Sequence, residues 1–290
     1  MLEQVINKIQ LLPLVETSNI LPRINVKLAN DWDKEHGMRK KLIVNHEYRF
    51  IYCPIHKNAS SSIIKAILNI SKSNRKEKLL NSSRNTIRTY VDLNYSLANY
   101  TYAQAVQIIN SDYFKFVIVR NPWTRLVSTY LNLFVRLFEN NQVTQLAKDS
   151  AKYIYGEDNF GKYEDSISFA QFVQYVCNTD DQYIDPHCKS QYFFLGGLKY
   201  DFIGRMENLS HDLEYIKNRL NLSLELPKVN KTDYSTSSDI NNNYSTLSPS
   251  ELRSLKTGFP SYKNLYTPEL IDLVAQRYAK DLEMFGYEFV

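Results

Sequence analysis

Cysteine is scarce in this 290-residue chain: the three present, Cys53, Cys177 and Cys188, are odd in number and include no Cys-x-x-Cys pair. That usage speaks against a disulfide framework or a zinc site and is read as that of a reducing compartment. Long apolar runs are missing too, so no stretch reaches membrane-spanning length. Residues 1–30 lack the plan of a secretory leader, because Glu3, Lys8 and Glu16 interrupt their apolar stretches. There is no dense stripe of one charge: 35 Lys and Arg are interspersed with 31 Asp and Glu for a net charge of +4. This argues against a nucleic-acid partner while leaving a mild attraction for polyanions. Glycine is absent from residues 50–62, where a P-loop kinase needs Gly-x-x-x-x-Gly-Lys-Ser/Thr.

What is present points to anion chemistry. Tyr48 to Cys53 is an apolar and aromatic run that predicts a buried strand, and Ile63, Ile64, Ile67 and Leu68 share one face of a following helix. Between them lies Pro54-Ile55-His56-Lys57-Asn58-Ala59-Ser60-Ser61-Ser62. The first-turn N–H groups of such a helix, the hydroxyls of Ser60, Ser61 and Ser62 and the ammonium of Lys57 can converge on one oxyanion. A second unit has the same build: Asp112 to Val119 reads as a strand ending at Arg120, and Asn121-Pro122-Trp123-Thr124 opens a helix. Trp123, Leu126, Val127, Tyr130, Leu133, Phe134 and Leu137 form its apolar stripe, leaving Arg125, Ser128 and Asn132 largely off it. Arg120 then stands at the carboxyl end of its strand, where open α/β sheets bind ligands. Length and a 43% apolar content suit one full core, so residues 41–290 read as a single α/β domain behind an extension over 1–40.

Lys57-x-x-Ser60-Ser61-Ser62 followed by Arg120-Asn-Pro-x-x-Arg125-Leu-Val-Ser128-x-Tyr130 resembles the two cofactor loops of sulfotransferases that use 3′-phosphoadenosine-5′-phosphosulfate, PAPS. Asp185-Pro186-His187-x-x-x-Gln191, the stretch Tyr200 to Leu209 with Arg205 and Glu207, and Asp281-Leu-Glu-Met-Phe285-Gly-Tyr287 are similar to the carbohydrate-sulfotransferase branch, sulfotransferase family 2. The resemblance spans roughly residues 45–290. It implies a P-loop-like three-layer α/β fold, with a central, mostly parallel sheet flanked by helices. It also implies transfer of a sulfuryl group from PAPS to an acceptor hydroxyl, foremost on a carbohydrate. A small natural product is the alternative acceptor; a P-loop-type kinase or a non-catalytic binding protein is the alternative function.

By that resemblance the loop Lys57, Asn58, Ala59, Ser60, Ser61 and Ser62 binds the cofactor, with the serines and the helix amino terminus on its 5′-phosphate, and Arg120 and Ser128 hold its 3′-phosphate. Arginine suits such a grip because its planar fork meets a phosphate with two parallel hydrogen bonds. Lys57 doubles as the catalytic group on the departing oxygen. The chain departs from the family in placing His56 where many members have proline and Ala59 where glycine is common. No histidine lies between the two loops, where some glycan sulfotransferases place their base; His187 is the first choice for that role, with His56 or a carboxylate in reserve. No metal is called for, since lysine and arginine can supply the positive charge and no carboxylate cluster has ligand spacing.

Other segments read as scaffold. Trp123 and Tyr130 are expected in the core, and Gln191, Arg205 and Glu207 either hold the fold or meet the acceptor. Ser71 to Arg88 reads as a surface connection, 139–166 as a long insertion and 230–247 as a flap or plain loop. Ser248-Pro249-Ser250-Glu251 is a capping box, and Thr267-Pro268-Glu269 opens a last helix that closes at Gly286. Asn-x-Ser/Thr sequons recur, and one on Asn58 would place a glycan on the cofactor loop. The chain as given shows no amino-terminal anchor of the kind Golgi relatives carry, so a cytoplasmic, bacterial protein is expected.

Overall fold

Two strands, apolar along almost their whole length, form the middle of the sheet. β1 (Ile43–Asn45), β2 (Phe50–Cys53), β3 (Phe114–Val119) and β4 (Phe202–Arg205) lie in that order, β1 antiparallel to β2 and the rest parallel. This computed structural model describes residues 42–71, 76–136, 143–156, 166–222, 242–255 and 259–290. The expected extension over 1–40 and most of the 230–247 segment lie outside them. Between β2 and β3 the chain forms α1 (Ser60–Ile70), α2 (Lys76–Leu80), α3 (Arg84–Tyr95) and α4 (Tyr102–Asn110). Between β3 and β4 come α5 (Pro122–Tyr130), α6 (Gln145–Tyr155), α7 (Phe169–Cys177) and α8 (Tyr192–Leu195). After β4 follow α9 (Leu209–Arg219), α10 (Pro249–Ser254), α11 (Pro268–Arg277) and α12 (Ala279–Phe285).

The period of two along each strand sorts the core into layers. Phe50, Tyr52, Phe114, Phe116 and Ile118 face Ile63, Ile64 and Ile67 of α1, Ile87 and Val91 of α3, and Leu213 and Ile216 of α9. Ile51, Cys53, Val117 and Val119 face Ala105 and Ile108 of α4, Phe194 and Leu195 of α8, and Phe285. Helices thus cover both faces of the sheet, as its parallel strands require. A second core joins Trp123, Leu126, Tyr130 and Phe134 to Phe169, Phe172 and Val173 of α7 and to Val274 and Tyr278. Each such aromatic contributes about 1.5–3 kcal/mol by leaving water. Because β2 and β3 are adjacent and parallel, Cys53 lying beside Val117, the loops that leave them emerge side by side at one edge.

Local chemistry explains most boundaries, and three expectations need correction. Asn121 caps α5 by accepting the Trp123 N–H at 3.1 Å, and Pro122 sits where its missing N–H costs nothing. The helix then passes into a π-helical segment, Leu131–Arg136, in place of the uninterrupted α-helix that the apolar stripe predicts. Ser71 to Arg88 is not a plain connection: it contains α2 and the start of α3, which Ser83 caps and whose Ile87 and Val91 pack on β2 and β3. Within the 139–166 segment, the described residues form α6, capped by Thr144. The last helix is two helices broken at Tyr278 (φ −109°, ψ 24°), whose buried hydroxyl donates to the Cys188 carbonyl at 2.5 Å. That break turns α12 so that Asp281 meets Gln191 and Tyr192.

Candidate active site

The loop from β2 to α1 turns with two non-glycine residues in left-handed backbone, Lys57 at φ 69° and Ala59 at φ 55°. L-residues pay about 1–2 kcal/mol for that conformation, a cost that glycine in place of Ala59 would not carry. No side chain caps α1, and while the Ser62 N–H already donates to the Ala59 carbonyl at 2.9 Å, the N–H groups of Ser60 and Ser61 are left for an anion, with Ser60 and Ser62 half-buried and Ser61 exposed. Lys57 extends its ammonium to Asn132 Oδ1 at 3.2 Å. Its carbonyl accepts from Arg120 Nη1 at 3.1 Å. The two predicted loops are therefore one structure.

Arg120 also donates through Nε to Thr124 Oγ1 at 3.0 Å. Thr124, Ser128 and Asn132 follow Arg120 at intervals of four, and all are half-buried on a helix whose other positions are mostly buried. The structure thus brings Lys57, Arg120 and Ser128 to one polar face, with Thr124 and Asn132 added. Asn58 is placed differently: its side chain is fully buried and donates to the Ile118 carbonyl at 2.9 Å and to Gln191 Oε1 at 2.7 Å.

His187 stands across from this loop. Asp185 Oδ1 accepts from the His187 backbone N–H at 2.8 Å and from its Nδ1 at 2.7 Å, which leaves Nε2 as the basic nitrogen. Burial would raise the Asp185 pKa, but the His187 hydrogen bond and charge outweigh it and hold the carboxyl below its ordinary range. His56 packs its ring 4.3 Å from that of His187. Burial, then the neighbouring His187, push His56 down to about 3, so it stays neutral and is a poor proton acceptor.

Among the described residues Arg125 is the largest fully buried side chain, only 1% exposed. Its guanidinium donates to three carbonyls: His56 at 3.1 Å, Lys189 at 2.7 Å and Pro186 at 3.3 Å. It ties the lysine loop to the segment that carries His187. Thr129 adds a bond to the His187 carbonyl at 3.3 Å. Glu207 accepts the Asn121 N–H at 2.8 Å and the Tyr287 hydroxyl at 2.9 Å, while Arg205 donates to the Phe285 carbonyl at 2.5 Å. These two residues hold the carboxy-terminal motif against the strand ends. Trp123 and Tyr130 are core, as expected.

Asn132, Thr124 and Asp281 are named in the sequence reading, Asn132 as off the apolar stripe and Asp281 at the head of the closing motif, but none was given a place in the site. A signal for the first two was available: polar residues at 124, 128 and 132 repeat every fourth position from Arg120 along an otherwise apolar helix. Asp281 had no such signal, because its partners lie 89 and 90 residues away. Among the described residues no group of three or more His, Cys, Asp or Glu side chains could hold a metal ion, and no helix is long and apolar enough to cross a membrane. Burial pushes the Cys177 thiol up to about 11 and raises that of Cys188 as well, so neither serves as a nucleophile.

Comparison with known proteins agrees with this geometry. Carbohydrate sulfotransferase 14 of mouse is 27% identical over 203 residues, covering 64% of this chain and 49% of its own. The zebrafish protein of that name is 28% identical over 200 residues, covering 65% and 52%. Carbohydrate sulfotransferase 11 of rat is 25% identical over 208 residues, covering 68% and 58%. The chain thus spans about half the length of the curated relatives it matches. No solved structure matches it. The family described as the sulfotransferase family matches residues 40–288, a span that takes in both anion loops, the Asp185-His187 pair and the closing helices, and the chain belongs to that family.

Proposed function

We propose that the protein is a PAPS-dependent O-sulfotransferase acting on a carbohydrate hydroxyl. The observation that carries this reading is the joining of the two loops: Arg120 bonds the Lys57 carbonyl while Lys57 reaches Asn132 on the arginine-bearing helix. The result is one polar face with a lysine, an arginine, hydroxyls and a helix amino terminus, a donor set suited to a nucleotide bearing two phosphate groups. Arg120 and Ser128 would hold the 3′-phosphate, and Ser60, Ser61, Ser62 and the α1 amides the 5′-phosphate. Lys57 stabilises the charge that develops on the oxygen joining sulfur to phosphate as that bond breaks and the acceptor oxygen bonds to sulfur. His187 takes the acceptor's proton at Nε2, with Asp185 holding its other nitrogen. The names of the relatives support a sugar as acceptor.

A cytoplasmic, bacterial setting remains part of the proposal. It is supported by three cysteines that form no disulfide and by Asn58, whose fully buried amide leaves no room for a glycan at that sequon. An intact mass equal to that of the bare chain checks it; a glycosylated product refutes it.

Two experiments test the function. Calorimetric titration with adenosine 3′,5′-bisphosphate is expected to show micromolar or tighter binding without metal, weakened about 10- to 100-fold in Arg120→Ala, as loss of a charged hydrogen-bond donor predicts. Preference for magnesium-ATP, or no binding, overturns the reading in favour of a kinase or other protein. In turnover assays with PAPS, His187→Asn is expected to lose about 10²- to 10⁴-fold while binding the bisphosphate normally. His56→Asn should keep most activity; the reverse pattern would move the base to His56.

A further inference from the structure

We propose that Gln191 is a positioning residue that sets the two donor-binding loops relative to each other, with Asp281 locking it from behind; the inference rests on the function proposed above. Gln191 is fully buried, so it touches neither donor nor acceptor. Its amide is used completely. Oε1 accepts from the Arg120 backbone N–H at 2.9 Å and from Asn58 Nδ2 at 2.7 Å. Nε2 donates to the Arg120 carbonyl at 2.7 Å and to Asp281 Oδ2 at 3.3 Å. Two acceptor sites and two donors are all that a glutamine side chain has.

The targets of those bonds are specific. Gln191 grips both the N–H and the C=O of Arg120, so it fixes the two peptide groups that flank the Cα from which the guanidinium projects. Through Asn58 it also reaches the lysine loop, at the residue between the two left-handed positions Lys57 and Ala59. Asn58 in turn donates to the Ile118 carbonyl on β3. The strand end that presents Arg120 and the turn that presents Lys57 are thereby stitched by two side-chain amides.

Asp281 makes this arrangement costly, which is informative. It is fully buried and, among the described residues, has no ion-pair partner within 4 Å. It accepts instead from the Gln191 and Tyr192 backbone N–H groups, both at 2.8 Å, and from Gln191 Nε2. Burying a carboxylate on neutral donors works against folding; here it holds the rotamer of a buried side chain that bonds to both loops. Misplacement of a binding group by about 1 Å is enough to cost roughly two orders of magnitude in rate.

The test separates positioning from mere support of the fold. Gln191→Met keeps the volume and removes all four bonds. At a temperature where circular dichroism shows it folded, it is expected to bind adenosine 3′,5′-bisphosphate at least tenfold more weakly than wild type. Its KM for PAPS should rise while the KM for acceptor is unchanged. Combined with Asn58→Ala, the losses in bisphosphate affinity should be non-additive, the double variant binding about as the weaker single one does. If Gln191→Met does not fold, Asp281→Asn, which keeps the shape and replaces one acceptor oxygen, carries the same measurements. Bisphosphate affinity within twofold of wild type in a folded but less stable variant, or strictly additive losses, overturns the inference while leaving the function standing. A wild-type protein that binds no bisphosphate overturns both.

Discussion

Lys57→Ala is expected to lower turnover with PAPS by about 10²- to 10³-fold, the range lost when one preorganised donor is removed from a site of developing charge. The ammonium is held at the end of an unusual turn, with its backbone at φ 69° and its tip at Asn132 Oδ1, 3.2 Å away. An ordinary surface lysine is not fixed at both ends. Its value lies in the transition state, when negative charge gathers on the oxygen leaving sulfur, so bisphosphate affinity should fall much less than turnover does. Folding should be nearly unaffected, because the side chain is half-buried and alanine inherits the same backbone. Lys57→Arg should not restore full activity, since a planar fork cannot place its charge where a compact ammonium stood. Single-turnover rates and calorimetric titration on one set of variants check this, and a rate within fivefold of wild type in Lys57→Ala would remove the lysine from the chemistry.

Arg125→Met is expected to destabilise the fold by about 3–5 kcal/mol, from roughly 1–3 kcal/mol for each buried carbonyl left without a donor, taken as less than additive, the largest effect on stability foreseen for any single change in the site. The substitution leaves a hydrophobic residue of comparable length but strips three carbonyls, those of His56, Lys189 and Pro186, of a charged donor. A hydrogen bond to a charged group contributes about 1.5–3 kcal/mol, and the three do not add because they share one side chain. Function should suffer as well, since Arg125 is the direct tie between the lysine loop and the segment bearing His187. Arg125→Lys should recover only part, having one head where the fork reaches three acceptors. The midpoint of urea unfolding reads the loss; a shift equivalent to under 1 kcal/mol would show that these carbonyls find other donors.

The two anion loops were legible in the sequence because each is encoded locally. Apolar runs that end in Lys57 and in Arg120, followed at once by helical periodicity, need no distant contact to be recognised, and the resemblance then assigned them roles. His187 stood out because Asp185-Pro186-His187 matches a motif of the resembling family. Arg125 was seen as a position off the apolar stripe; that it is buried and three-handed depends on carbonyls 61 to 69 residues distant. The helices α2 and α3 were missed because Lys76 to Thr86 is polar and its first turns carry almost no apolar face. The break at Tyr278 was missed for the opposite reason: nothing in Ala275 to Lys280 opposes a continuous helix, and the bond from its hydroxyl to Cys188 belongs to the tertiary structure.

By itself, then, the sequence determined what is short in range: an α/β core, two strand ends carrying cations and hydroxyls, and a histidine two residues after an aspartate. Only the tertiary structure decided how these parts act together. Gln191 and Asp281 are far apart along the chain and carry no periodic mark, yet their buried amide and carboxylate hold both loops. That His56 is held neutral likewise came from burial, which disfavours charge on its imidazole, while Asp185 turns the ring of His187. Hydrogen-bond partners and desolvation are properties of neighbours in space, and a strand or helix pattern records only neighbours along the chain.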